Sequence, residues 1–168
     1  MARSTTDSKP PNAASILATW RILVEEYSRL DLTDEMDCLP ALSGIASVMY
    51  SRLKRDGLPS VTHLAGLWSS ELPLALCWIC TSPTATRPAR YRAPSLSWAS
   101  INGPISFLES LAIKRSLGYA PPDGFTFCQV VSFFSQPKGT DPYGGFQEVR
   151  FSCAAGPRLA TSRERMIT

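Results

Sequence analysis

From Ile16 to Leu30 the apolar residues Ile16, Leu17, Trp20, Leu23, Val24, Tyr27 and Leu30 recur at steps of three, four and seven. That spacing gathers them on one side of a helix and leaves Arg21, Glu25, Glu26 and Arg29 on the other. Asn12 or Ser15 can cap its start by accepting an orphan backbone N–H. A second helix is predicted after Asp37, its cap, with Pro40 in a first turn that needs no proline N–H. Leu39, Leu42, Ile45, Ala46, Met49 and Leu53 make its stripe. Gly44 inside it costs about 1 kcal/mol relative to Ala, which hints at close approach of a neighbour or is simply tolerated. Lys54 to Pro59 reads as a loop, and His63 to Trp68 leads into a third, short helix. Ser69 or Ser70 would cap that helix, Pro73 would lie in its opening turn, and Leu72, Leu76 and Ile79 would share a face.

The period changes at Tyr91 to Gly103. Leu96 and Trp98 alternate with Ser95, Ser97 and Ser100 as in a strand, and Asn102-Gly103 supplies the positive φ of a tight hairpin turn. Ile105 and Phe107 begin the return strand, which Pro104 confines to an edge or delays by a residue. Glu109 to Gly118 reads equally as helical turn or loop. Phe125 to Phe134 is apolar on both faces, which predicts a central strand. After a turn region over Ser135 to Gly145, Val149, Phe151 and Cys153 alternate with Glu148, Arg150 and Ser152, a strand with one wet face.

The expected fold is therefore α+β: three N-terminal helices packed on a small, mainly antiparallel sheet formed after Tyr91. Residues 15–156 read as a single domain, with flexible tails at 1–14 and 157–168. At 168 residues, with 44% hydrophobic and 18% charged, the chain has the size and composition of one ordinary globular domain. No apolar run approaches the roughly 20 residues of a membrane helix. Met1 to Asn12 carries Arg3, Lys9 and two prolines but no apolar stretch, so no secretory signal is read and the cytoplasm is the expected compartment. Five irregularly spaced cysteines then read as reduced thiols. A net charge of +3 with scattered arginines implies solubility rather than nucleic-acid binding. The densest basic clusters, Arg87 to Arg92 and Arg158 to Arg165, fit a solvated loop and tail.

Candidate chemistry is sparse. Cys77-Trp78-Ile79-Cys80 is a C-x-x-C without a second pair or a βαβ context, and reads as buried thiols at the end of an apolar helix. His63, the single histidine, would have to serve any Ser-His or Cys-His mechanism and reads as a capping or surface residue. Asp34, Glu35 and Asp37 suit the positive end of a helix better than acid–base work. Asp141 to Gly145 has two glycines but opens a strand, where a phosphate cradle opens a helix. No catalytic, cofactor-binding or metal-ligating set is predicted. Trp20, Trp68, Trp78 and Trp98 are first of all core candidates. The minority reading, a protein-binding surface, would use Trp98 with Arg92, because such residues are enriched among interface anchors.

Five blocks, in order, resemble a known family. They are Trp20 with Leu23 to Ser28, Leu32-Thr33 with Asp37 to Ala46, Leu64 to Trp68 with Leu74 to Trp78, Tyr91 to Gly103, and Asp141 to Gly144. Together they resemble the region that follows the N-terminal HET domain in fungal heterokaryon-incompatibility proteins, with its LVEEYS, LPALSGIA, LAGLW, YRAPSWSWAS and DPYG motifs. Cys38 stands where Lys is usual, Leu96 replaces the first Trp of the fourth motif, and Asn102 replaces the usual Asp. The resemblance spans about Trp20 to Gly156 and implies a truncated member: the carboxyl-terminal half of a non-self-recognition, cell-death protein without its signalling half. Such a piece would bind, restrain or sense a protein partner rather than catalyse, without nucleic acid, membrane or metal. The alternatives are an orphan fragment without independent activity, or a serine hydrolase using Ser97 or Ser95 with His63.

Overall fold

The computed structural model describes residues 12–72, 74–107 and 128–155. Helix α1 runs Ala13–Tyr27, its first turn closed by Ser15 N donating to Asn12 Oδ1 at 2.9 Å. Ile16, Leu17, Trp20 and Val24 are buried as the periodicity requires, and Leu30, beyond the helix, is exposed. Glu25 departs from its predicted polar face and is only 9% exposed. Its Oε1 accepts the Phe107 N–H at 2.6 Å and the Ser106 hydroxyl at 3.1 Å. Ser28 Oγ accepts the Ile105 N–H at 3.0 Å, so one side of α1 meets a strand through polar bonds. Arg21 pairs with Glu71.

The second helix begins later than predicted. Asp34, not Asp37, caps a 3-10 turn over Glu35–Cys38, with its side chain accepting Met36 N at 2.8 Å. Pro40 opens a second such turn, Pro40–Leu42, and α2 spans Ser43–Arg55. Leu39, Leu42, Ala46 and Leu53 are buried, whereas Ile45 is exposed. A Cβ on Gly44 would meet nothing within 4 Å, so no neighbour requires that glycine.

The third helix does not form, and this corrects the expected architecture: among the described residues there are two α-helices. Ser69–Glu71 and Leu74–Leu76 are isolated 3-10 turns, separated at Leu72, which is extended at ψ 141°. Leu72 precedes Pro73, whose ring drives the preceding residue out of the helical region. The chain then continues as strand β3, defined below.

Strands also start earlier than Tyr91. β1 (His63–Leu64) and β2 (Leu67–Trp68) form a hairpin whose two-residue turn, Ala65-Gly66, has φ of 50° and 89°. Two positive values mark the type I′ turn that suits strand twist. β3 (Trp78–Cys80) pairs antiparallel with β4 (Ile105–Phe107), and β5 (Cys128–Pro137) with β6 (Phe146–Ala155). Among the described residues the expected single sheet is instead three two-stranded antiparallel sheets. β5 is correspondingly not central: Val131, Phe133 and Phe134 are exposed. β6 keeps its predicted alternation, with Val149 buried and Arg150 and Ser152 exposed. The Glu109 to Gly118 segment, the Phe125 end of the predicted strand and almost all of both predicted tails lie outside the described residues.

The stretch expected to be a strand, Leu96 to Ser100, instead holds a 3-10 turn, Trp98–Ser100, capped by Ala99 N donating to Ser97 Oγ at 3.0 Å. Its alternating serines serve turns and caps instead of a wet sheet face. Asn102 pairs with Thr86, and no hairpin forms at Asn102-Gly103. What fixes this stretch is the Ala65-Gly66 turn. The Gly66 carbonyl accepts both the Trp20 indole N–H at 2.9 Å and the Trp98 indole N–H at 3.0 Å. The Ala65 carbonyl accepts the Ser97 hydroxyl at 2.5 Å. The Trp98 ring occupies the place that a Cβ on Gly66 would take, so its approach to this carbonyl relies on the missing side chain.

Candidate functional site

Arg92 is 5% exposed and is held by three main-chain carbonyls. Nε donates to Ala99 at 2.6 Å, Nη1 to Glu35 at 2.6 Å and Nη2 to Ile101 at 2.7 Å. A buried guanidinium costs several kcal/mol of desolvation, which short charge-assisted bonds must offset. The carboxylate of Glu35 accepts Ala89 N and Asn102 Nδ2, each at 3.1 Å. Arg92 and Glu35 together therefore staple the Glu35–Cys38 turn to the 89–102 segment. At the surface, Arg90 and Asp34 approach to 3.8 Å, an exposed pair contributing little.

Beside this staple lies a cleft of about 570 Å³, within the range of small-ligand sites. Residues 27–33, leaving the end of α1, form one wall, and Ser82, Thr84 and Ala85 with Asn102, Gly103 and Pro104 form the other. Tyr27, Cys38, Trp98 and Ile101 contribute apolar surface, with Arg92 and Glu35 alongside. Tyr27 and Trp98 meet edge-to-face with centroids 6.4 Å apart.

Burial sets the protonation of these groups. It pushes the Cys38 thiol up to about 11 against the opposing pull of Arg92. The Tyr27 hydroxyl is pushed up to about 12, first by burial and then by neighbouring Cys38. That hydroxyl is buried without a hydrogen-bond partner. At neutral pH the thiol and the phenol are therefore protonated, and they share the cleft with the guanidinium of Arg92 and the carboxyl groups of Asp31 and Glu35.

The remaining predicted positions are placed differently. His63, expected at the surface or as a cap, is 5% exposed and neither ring nitrogen has a hydrogen-bond partner among the described residues. Trp20, Trp68, Tyr143 and Phe146 surround it, at ring-centroid distances of 5.8, 4.9, 5.4 and 5.9 Å. Burial drops its pKa to about 3, with Asp141 acting in the other direction. Neither Ser95 nor Ser97 hydrogen-bonds to His63, and the Ser97 hydroxyl donates to Ala65 O and accepts from Ala99 N.

Arg92 and Trp98, the candidate partner anchors, are both buried, and each borders the cleft from inside the fold. Trp20 and Trp68 are buried with Trp98, while Trp78 is half-buried and donates to Leu96 O at 2.8 Å. Cys77 and Cys80 are exposed, not buried, because the helix expected to bury them is absent; Cys38 is the buried thiol among the described cysteines. Asp34 caps a turn and Glu35 joins the staple. Sequence reasoning missed Glu35, Tyr27 and Cys38 as neighbours in one cleft. The opposite wall, Ser82 to Pro104, lies more than forty positions further along the chain, and no local spacing encodes that.

Among the described residues no group of three metal-ligating side chains comes together, and no helix is long and apolar enough to cross a membrane. No protein-family model, curated protein or solved structure matches the chain.

Proposed function

We propose that the chain is a non-enzymatic recognition module of the kind its motifs resemble, the region carboxyl-terminal to the HET domain in fungal incompatibility proteins. It works in the cytoplasm, within non-self recognition and cell-death signalling. The cleft between residues 27–33 and the 82–85 and 102–104 segments receives a short stretch of a partner protein. The observation carrying this reading is the Arg92 staple. Three carbonyl bonds and the Glu35 links tie the Glu35–Cys38 turn, which follows one wall, to Ile101 and Asn102 at the other, and such preorganisation lowers the entropy lost on binding.

The test is an NMR titration of the isotope-labelled chain with a library of capped tripeptides. The expected result is saturable shift changes at Thr33, Ser82, Ile101 and Asn102, abolished by Thr33→Trp, which fills the cleft from an exposed wall position. Shift changes gathered elsewhere, or unchanged in Thr33→Trp, overturn the assignment of the cleft.

A further inference from the structure

Four aromatic side chains surround the imidazole of His63, and two of them come from the β5–β6 hairpin. Trp20 of α1 and Trp68 of β2 form the inner side, while Tyr143 and Phe146, from the turn and start of the β5–β6 hairpin, form the outer side. The hairpin is a two-stranded ribbon, an element with marginal stability of its own. Its hold on the body comes from Tyr143, Phe146, Val149 and Phe151, with Tyr143 also 5.9 Å from the ring of Tyr50 on α2. Two of these four docking residues, Tyr143 and Phe146, thus also cover His63.

We propose that the β5–β6 hairpin is an acid-released latch: protonation of His63 expels the Tyr143–Phe146 turn and opens the aromatic pocket beneath it. An imidazolium has two N–H donors, and this pocket offers neither an acceptor. The groups facing the ring do not compensate. α1 and β2 present uncharged indoles, while Tyr50 of α2 packs on Tyr143 and carries Lys54 4.9 Å above its own ring. The turn presents Tyr143 and the carboxylate of Asp141, whose attraction for the cation is weaker than the cost of burial. With the hairpin displaced, water reaches the ring and the ordinary value of 6.5 returns.

The sign follows. Folded-state His63 binds its proton only near pH 3, whereas in the released state it binds below about 6.5, so docking is fully favoured above 6.5 and weakens as pH falls. The docking constant drops about tenfold per pH unit, or roughly a hundredfold at about pH 4.5. Release bares Trp20, His63 and Trp68 together. The latch does not depend on what the cleft binds.

Native-state hydrogen exchange from about pH 7 to about pH 4.5, corrected for intrinsic rates, tests it. The expected result is a roughly hundredfold loss of protection in β6 through an opening that leaves the α1 amides around Val24 protected, and loss of the acid response in His63→Leu. The same response in His63→Leu overturns the latch, as does equal protection of β6 and α1 at every pH, which means that only global unfolding occurs. Should His63→Leu fail to fold, the imidazole resonances of the parent decide. Titration near 6.5 with β6 still protected refutes the proposal, and a neutral ring down to about pH 4.5 in the docked state upholds it.

Discussion

Gly66→Ala should be among the most damaging single-methyl additions in this chain. Gly66 has a φ of +89°, and a Cβ there would lie 2.6 Å from Trp98 Nε1 and 2.8 Å from Cε2. Positive φ costs a residue with a side chain about 1–2 kcal/mol. Overpacking against a rigid ring adds about 1–3 kcal/mol, because an indole 2% exposed has nowhere to retreat. Any retreat also stretches the Trp98 bond to the Gly66 carbonyl, forfeiting about 1 kcal/mol. These contributions overlap, so a loss of about 3–5 kcal/mol is expected, a large share of a typical domain's stability. Gly57→Ala is the control: its φ is +103° and a Cβ there meets nothing within 4 Å, so only the backbone cost of about 1–2 kcal/mol applies. Urea unfolding followed by tryptophan fluorescence reads both, since three of the four indoles are buried in the core. Equal losses in the two variants would refute the reasoning by showing that the ring contact is inert. Combining Gly66→Ala with Trp98→Phe should recover part of the loss, as expected of coupled neighbours.

Arg92→Lys should cost about 3–5 kcal/mol in the same assay, since one ammonium cannot span three carbonyls facing different sides of a planar fork; a loss under 1 kcal/mol would dismiss the staple. Asn102→Asp sets a second carboxylate against Glu35. It should destabilise by about 1–3 kcal/mol at pH 7, where both are ionised, and regain stability as pH falls and the pair takes up a proton. The sign is fixed because a folded-state pKa raised by a like charge makes the penalty grow with pH, and pH-dependent melting of variant against parent checks it. With its thiol pushed up to about 11 by burial, Cys38 should resist iodoacetamide at about pH 8 while exposed Cys80 is alkylated. Peptide mapping by mass spectrometry distinguishes them, and early labelling of Cys38 in the folded protein would contradict its placement.

Much of the helical half was legible because its signals are local. The Asn12 cap and the Ile16 to Val24 stripe need only one turn of context, and α1 forms where they point. The third helix failed on an equally local rule given too little weight: Leu72 precedes proline, and a shared face for Leu72, Leu76 and Ile79 cannot offset a residue held extended. Tyr91 to Gly103 stood out in the sequence, and the structure makes it the segment tied to the hairpin turn and the staple, yet its alternation pointed to a strand. Ser97 resolves the conflict, for its hydroxyl caps a turn and reaches Ala65 O, so it is no wet sheet position. Glu25 and His63 read as polar surface because composition prices each residue alone. Glu25 is buried because its acceptors find two donors on β4. His63 is buried as an uncharged ring, a state that sequence reading does not assign by default. The cleft joins Tyr27, Cys38 and Arg92 across the chain, and only tertiary packing writes that grouping.

The polar seam between α1 and β4 governs how this protein can associate with extended chains. Strand borders usually invite a further strand, because their unpaired N–H and C=O groups act as a template for growth. On the outer border of β4 the Phe107 and Ile105 donors are already occupied by Glu25 and Ser28, so a visiting strand would find no hydrogen-bonding ladder there. Replacing Glu25 would free the Phe107 donor and offer an extended chain a place to pair along β4.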